Sequence, residues 1–132
     1  MLPQVHPHRP LVRSLVACQE VRRIGHQTTL VGLVEKVTAH AGSGHFASTL
    51  YGTLTSGQGQ HLVQLQIGYF DTEGQETSRL TSSPRTIDLG MDPLHVFGLP
   101  IPLKVQQKGR GLIEFNVVID GKVCETLQVS VR

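Results

Sequence analysis

The chain has 132 residues, a formal net charge of +2, 39% hydrophobic residues and 14 glycines. With glycine included, its apolar content reaches that of ordinary globular proteins, about 45–50%, so one domain can bury a core without metal or disulfide support. The small charge excess argues against the concentrated basic surface of strong polyanion binders, and the lack of a long apolar run excludes a membrane-spanning helix.

The first ten residues hold three prolines and two histidines. This composition predicts a flexible N-terminal arm over 1–10 and one domain over 11–132. The arm lacks the basic start and apolar block of a secretory signal, so we expect a cytoplasmic protein. In that compartment Cys18 and Cys124 are expected as small core residues; a bridge between the first and last strands is the alternative.

From Leu11 onward, short apolar segments alternate with turn signals, and no longer window shows a helical period. Residues 19–25 are expected as a polar connection, at most with one helical turn. Residues 28–34 are expected as a strand buried on both faces, because Leu30, Val31 and Leu33 leave no polar side. The predicted strands before the C-terminal hairpin are 11–18, 28–34, 47–55, 61–70, 75–81, 85–89 and 97–105.

The segment 97–105 alternates strictly between apolar and other residues although it contains Pro100 and Pro102. In an extended chain, residues two apart point their N–H groups toward the same side. Two prolines at this spacing therefore remove donors from one side only. This pattern predicts a strand on a sheet edge, where the missing donors discourage unwanted strand addition.

The C-terminal hairpin over 111–131 has the clearest pattern in the chain. Apolar residues alternate up to Ile119, and Asp120-Gly121 provides the left-handed conformation of a tight turn. Eight or nine such strands predict an all-β fold, an antiparallel two-sheet β-sandwich of immunoglobulin-like or C2-like character. A small closed β-barrel is the alternative.

Seven histidines raise the hypothesis of a metal site. Apart from the pair in the N-terminal arm, only His40 and His45 are close in sequence, and they lack the paired thiolates of a structural zinc site. They remain weak candidates for an alternative function, a metal-binding protein or metal-dependent hydrolase. In the leading interpretation we expect no metal and no cofactor.

Catalytic residues are not expected either. Ser43 stands in Gly42-Ser43-Gly44-His45, but no strand-to-helix elbow follows to present it as a nucleophile. The glycines are better explained as turn formers. Phosphate-binding glycine loops are absent, and a small-molecule substrate is therefore not expected.

Arginines make the N-terminal quarter the most basic part of the chain. Arg9, Arg13, Arg22 and Arg23 support a second alternative, weak binding to nucleic acid or to an anionic surface. With six aromatic residues and no Trp, a stacking platform for single strands is hard to build. Nucleic acid is therefore not the leading partner.

Two local patterns resemble those of a known family. They are Ala17-Cys-Gln-Glu-Val-Arg22 followed by Gly25 and by Thr29-Leu-Val-Gly-Leu33, and Gly111-Leu-Ile-Glu-Phe-Asn-Val ending in Asp120-Gly121. Together they are similar to a widespread family of small bacterial single-domain all-β proteins that carry a domain of unknown function. The resemblance covers most of 11–131, implies the same sandwich fold and brings no catalytic residues.

The leading functional prediction is a non-enzymatic interaction module that binds a protein partner or self-associates. A rigid sandwich with variable loops suits binding. Contacts are expected in the connection 19–27, the loop 40–46 and the turn 56–60, and on the sheet edge that the prolines do not block. The candidate interaction residues are Arg22, Arg23, His26, Ser43, His45 and Gln58.

Overall fold

The fold is described by a computed structural model, which covers residues 9–34, 36–37, 45–106 and 109–132. Strands account for most of these residues, and none of them lies in a helix. No helix able to cross a membrane is therefore found in this part of the chain. The strands are β1 (Leu11–Ile24), β2 (Gln27–Leu33), β3 (Lys36–Val37), β4 (His45–Thr55), β5 (Gln60–Phe70), β6 (Glu76–Thr81), β7 (Arg85–Asp88), β8 (Phe97–Gln106), β9 (Gly111–Ile119) and β10 (Lys122–Val131).

The strands form two sheets. Sheet 1 has the order β2-β1-β4-β8, and sheet 2 has the order β3-β10-β9-β5-β6, with β7 also paired to β5. All pairings are antiparallel except that of the two-residue β3 with β10. The predicted antiparallel two-sheet sandwich is confirmed, and the fold is not a closed barrel. Nine strands have four or more residues, within the predicted number.

The core lies between the two sheets because each strand turns its apolar side chains toward the other sheet. Leu50 and Leu54 of β4 face inward from sheet 1, while Phe115, Val117 and Ile119 face inward from sheet 2; all five are almost completely buried. On β9, the alternation that the sequence predicted continues to the Asp120-Gly121 turn, where both residues have positive φ (52° and 81°). The predicted hairpin is confirmed.

Two expectations about the N-terminal half are wrong. Residues 19–25 were expected as a connection, but β1 continues through Ile24 and turns directly into β2. The predicted strand 28–34 is not buried on both faces, since no residue of β2 is fully buried. Consecutive apolar residues are typical of a doubly covered strand, but β2 lies at the end of its sheet, where nothing among the described residues covers it.

The N-terminal arm and the cysteines are the remaining expectations. Residues 1–8 lie outside the described part of the chain, but Pro10 is buried and packs beside Gly57, where a Cβ would lie 2.7 Å from the Pro10 Cβ. Pro10, which the prediction placed in the arm, is thus packed against the sandwich. Cys18 is buried, Cys124 is partly exposed, and both are free thiols. The alternative of a bridge between the first and last strands is therefore wrong.

Candidate interaction site

The β1–β2 hairpin extends beyond the rest of sheet 1. Pairing of β1 with β4 ends at Cys18, opposite Thr49, whereas pairing of β1 with β2 continues to Ile24, opposite Gln27. Gly25 has φ of 61° and His26 does not have positive φ. Glycine in the first central position of a two-residue loop is typical of a type II′ turn, whose twist matches that of the strands. The hairpin therefore continues as a regular two-stranded ribbon.

This ribbon is exposed on both faces. From Gln19 to Thr29 every residue is exposed except Val21, which is half-buried. Ile24 at the tip is 71% exposed and Leu33 at the end of β2 is 62% exposed. Beneath the base of the hairpin, an apolar cleft of about 150 Å³ lies between Ala17, Val34 and Leu127. The ribbon thus presents backbone and apolar side chains to solvent.

The charge of the ribbon is small because its ionised side chains partly neutralise one another. The Arg22 guanidinium donates to both carboxylate oxygens of Glu20, Nε to Oε1 at 2.9 Å and Nη2 to Oε2 at 3.1 Å. The hydrogen bond from Arg22 lowers the pKa of Glu20, and the same bond raises the pKa of Arg22. Both groups therefore stay ionised at neutral pH and their charges cancel locally.

β8 forms the opposite edge of sheet 1, as the prolines of 97–105 predicted. The backbone carbonyl of Pro100 accepts a hydrogen bond from Arg85 Nη1 of sheet 2, at 3.4 Å. That carbonyl therefore points away from β4. In an extended residue the nitrogen lies on the same side as the carbonyl, so Pro100 and Pro102 have their missing donors on the free side. The prediction of a blunted edge strand is confirmed.

The edges of sheet 2 are protected in other ways. On one side the described part of β3 is Lys36–Val37, which includes a charged residue. On the other side β6 carries the Glu76–Arg79 ion pair, and β7 has Arg85 and Asp88 at its ends. Shortness, charge and proline are the devices by which natural sheets avoid strand addition. β2 differs from all these edges, since its seven residues include neither a charged residue nor a proline.

The predicted interaction residues do not form one surface. Arg22, Arg23 and His26 lie together at the exposed end of the hairpin. Gln58 lies at the other end of the sandwich, beside the start of β1, where its Nε2 donates to the Met91 carbonyl at 2.7 Å. His45 begins β4, but its side chain lies outside the described part of the structure, as do Ser43 and His40 altogether.

The four arginines of the N-terminal quarter are also divided between the two ends. Arg13 is near the start of β1, where its Nε donates to Thr55 Oγ1 at 2.9 Å. Arg22 follows nine residues later on the same strand, about 30 Å away at the rise of an extended chain. Arg9 lies close enough to Asp120 to lower the pKa of that carboxyl. These side chains therefore do not form a continuous basic surface.

A second exposed apolar feature is the loop between β7 and β8. Met91, Leu94 and Val96 are exposed there, Leu94 by 86%. Carboxylates shape the loop: Asp88 Oδ1 accepts from Gly90 N at 2.8 Å, and Asp92 Oδ1 accepts from Leu94 N at 2.9 Å. These oxygens cap the loop's own amides, and no group of three metal-ligating side chains occurs among the described residues.

One polar centre was missed by the sequence analysis. His61 is 3% exposed, and its Nδ1 lies 2.6 Å from Asp120 Oδ2 while its Nε2 lies 2.7 Å from the Gln58 carbonyl oxygen. A carbonyl only accepts, so Nε2 donates to it. Burial raises the pKa of Asp120, but hydrogen bonds from His61 and from the Leu62 amide outweigh burial and hold that pKa below its ordinary value. The Asp120 carboxylate is thus ionised at neutral pH.

This centre serves the fold. It joins the turn before β5 to the turn between β9 and β10, and no nucleophile accompanies His61 in its hydrogen bonds. His61 begins the predicted strand 61–70, but neither its burial nor a partner 59 residues away was predicted from the sequence. The backbone edge of β2 was missed as well. Its signal was the absence of charge and proline over 27–33, whereas the prediction of burial on both faces had been drawn from the consecutive apolar residues of 28–34.

Comparison with known proteins gives a likeness at the level of structure. No family model and no curated protein matches the sequence. A Pseudomonas fluorescens alkylpurine DNA glycosylase, AlkC, solved bound to DNA containing an abasic site analog, matches 74% of this chain with a TM-score of 0.52 and 12% identity. The likeness concerns the fold alone. This chain spans 27% of the length of the glycosylase.

Proposed function

We propose that the protein is a non-enzymatic interaction module that binds a protein segment by strand addition to the free edge of β2. The single observation that carries the proposal is the contrast between this edge and the others. β8 is blocked by prolines, and the described parts of β3, β6 and β7 carry charged residues, whereas β2 has seven uncharged residues without proline. Main-chain hydrogen bonds to such an edge give affinity for an extended peptide.

The backbone geometry identifies the groups that would bind. Ile24 and Gln27 close a two-residue turn, so the N–H and C=O of Gln27 point toward β1. Because direction alternates along a strand, the corresponding groups of Thr28 and Leu30 point away from β1. These two residues therefore supply the donors and acceptors for an added strand. The exposed Ile24 and Leu33 supply apolar contacts at the two ends of the edge.

The alternative of nucleic-acid binding receives less support. The structural neighbour is a DNA-bound enzyme, but the identity is too low to transfer that property to this chain. The arginines that motivated the alternative lie at opposite ends of the sandwich, and Arg22 is neutralised by Glu20. Phosphate contacts need several unpaired cations along one surface. The metal alternative depended on His40 and His45, whose side chains lie outside the described residues.

A peptide selection tests the proposal. A random peptide library displayed on phage is selected on the protein, and selected peptides are synthesised and bound to variants. We expect peptide binding to protect the amides of Thr28 and Leu30 from hydrogen exchange and to be lost in Thr28→Pro, which removes one outward donor. Thr28→Lys should weaken binding through charge, whereas Thr86→Lys, on the exposed β7, should not.

Folding of each variant is checked by thermal unfolding before binding is compared. Thr28→Lys retains every backbone donor, so it remains informative if the proline variant does not fold. Selected peptides that bind wild type and both Thr28 variants equally, with protected amides elsewhere, would overturn the proposal.

A further inference from the structure

We propose that the strand added to β2 is β2 of a second copy of this chain, paired antiparallel about a two-fold axis through Thr29. This inference rests on the proposed function, since it uses the same edge. It goes further by naming the occupant, the register and the size of the assembly.

The position of the axis follows from the regular part of β2. Gly32 has φ of 69°, and the next backbone bond to β1 runs from Val34 N to Ala17 O at 2.7 Å. In an uninterrupted ladder counted from the turn, the backbone groups of Val34 would point away from β1. Their direction is therefore reversed at Gly32, although the register of pairing is the same on both sides of it. The regular segment is therefore 27–31, and its central residue is Thr29.

Symmetric pairing of this segment makes use of every outward group. Thr28 of each copy lies opposite Leu30 of the other copy. Each of these two residue pairs exchanges both of its backbone hydrogen bonds. About four inter-chain hydrogen bonds result. Thr29 faces Thr29 of the second copy in a non-hydrogen-bonded pair, where the Cα atoms approach to about 4.5 Å. Threonine pairs are favourable at such positions.

The charges near the edge permit two identical ribbons to meet. β2 carries no charged residue, so no like charges lie opposite each other in the new ladder. Glu20 and Arg22 of the adjacent β1 form an ion pair within each copy. Arg23, opposite Thr28 on β1, is separated from Arg23 of the second copy by both β2 strands. An edge that is self-complementary and uncharged is suited to an isologous contact.

We expect a closed dimer rather than an assembly that continues to grow, because of the strands at the two ends of the joined sheet. Pairing of two β2 strands gives a continuous sheet in the order β8-β4-β1-β2 followed by the same strands of the second copy in reverse. Both ends of that sheet are β8, where Pro100 and Pro102 lack outward donors. The assembly therefore stops at two copies. A head-to-tail contact of β2 with β8 would build filaments, and the prolines oppose it.

Light scattering across a concentration series tests the size of the assembly. We expect a dimer for wild type and for Thr86→Lys, and a shift toward monomer of at least tenfold in concentration for Thr28→Pro and Thr28→Lys. Thr29→Cys in a Cys124→Ser background tests the register, since paired Cα atoms at about 4.5 Å are within disulfide range. That variant should form a covalent dimer on mild oxidation, and Thr86→Cys in the same background should not.

The outcomes separate the two proposals. A monomer at all concentrations, without cross-linking of Thr29→Cys, overturns the second-copy inference while peptide selection still decides the proposed function. A dimer that the Thr28 variants leave unchanged, and that Thr29→Cys does not cross-link, shows association elsewhere and overturns the inference, and peptide selection again decides the proposed function. A dimer weakened at Thr28 without cross-linking at Thr29 overturns the register.

Discussion

The imidazole of His61 is hydrogen-bonded through Nδ1 to the carboxylate of Asp120 at 2.6 Å, although the two residues are 59 positions apart. Asp120 has φ of 52° in the β9–β10 turn, and its other oxygen accepts the Leu62 amide at 3.0 Å. One side chain thus fixes the turn and, through His61, the start of β5. This arrangement makes the stability of the sandwich sensitive to pH and to either residue.

The first prediction concerns acid sensitivity. The pKa of Asp120 is lower in the folded protein than its unfolded value of about 3.9. Its ionised form therefore contributes stability above that value, and the contribution is lost as pH falls through the lower folded-state pKa. We expect Asp120→Asn to reduce the free energy of unfolding at pH 6 by about 1–2 kcal/mol and to have less effect at pH 2–3.

Urea unfolding of wild type and variant at several pH values measures this difference. Asparagine tolerates positive φ, so the turn itself is preserved and the comparison isolates the carboxylate. A stability difference that stays constant from pH 6 to pH 2 would contradict the assignment.

The second prediction concerns His61, which is buried and hydrogen-bonded through both ring nitrogens. Replacement by Leu leaves the Gln58 carbonyl and the Asp120 carboxylate without their partner. Unsatisfied groups cost about 1–3 kcal/mol each when buried, and Asp120 is partly exposed. We therefore expect His61→Leu to lower the free energy of unfolding by about 2–3 kcal/mol.

The exposed His95 gives a matched control, since His95→Leu should change stability by less than about 0.5 kcal/mol. In a double-mutant cycle, His61→Leu and Asp120→Asn should cost less together than the sum of their separate effects, because both remove one interaction. Strict additivity would indicate that the two side chains do not interact in solution.

The third prediction compares two glycines with positive φ, one of which also lies against the backbone of another strand. Gly111 has φ of 150°, and a Cβ there would collide with the Phe70 carbonyl oxygen. Gly74 also has positive φ, 82°, but a Cβ would meet no atom within 4 Å. The Cβ of Gly111→Ala must displace backbone atoms. The cost of Gly74→Ala is only the free energy of a positive φ, about 1 kcal/mol.

We expect Gly111→Ala to be the more destabilising of the two, by about 1–3 kcal/mol, as measured by the midpoint of urea unfolding. Equal effects of the two substitutions would show that β9 can move away from the end of β5.

The fourth prediction concerns the proline-blocked edge. Replacement of Pro100 and Pro102 by Thr restores two outward N–H donors on β8, while pairing with β4 uses the other side of the strand. If sheet 1 adds strands through its edges, opening the second edge should convert a closed dimer into larger assemblies. Light scattering and electron microscopy would detect them.

Adding Thr28→Lys to the double-threonine variant should reduce this growth, because assemblies of more than two copies need both the β2 edge and the β8 edge. A double-threonine variant whose mass equals that of wild type at every concentration would show that the prolines do not limit assembly.

Local pattern was sufficient for many strands and failed for β2. The strand 61–70 and the hairpin after Gly111 were predicted because alternation and turn residues are local properties. β8 was assigned to a sheet edge because proline lacks a backbone N–H donor, whichever strands lie beside it. For 28–34 the same reasoning predicted burial on both faces. Consecutive apolar residues indicate only that both faces of a strand could be buried. Whether another layer covers it depends on distant segments.

The candidate interaction site was likewise only partly predicted from the sequence. The sequence indicated Arg22, Arg23 and His26 as exposed polar residues, and the structure groups them on one ribbon. It placed Gln58 with them, but the pairing of Leu11 with Thr55 carries that turn to the opposite end. The outward amides of Thr28 and Leu30 could not be inferred, because a backbone group becomes available only when its strand lies last in a sheet.

The sequence alone determined that this chain forms an all-β sandwich with one edge strand blocked by prolines. Alternation, turn residues and missing N–H donors are properties of a few neighbouring residues. The tertiary structure decided which strands are neighbours, and with them the pairing of His61 with Asp120 and the exposure of β2. Those outcomes depend on contacts between segments tens of residues apart, whose free energies arise only when both sheets are assembled.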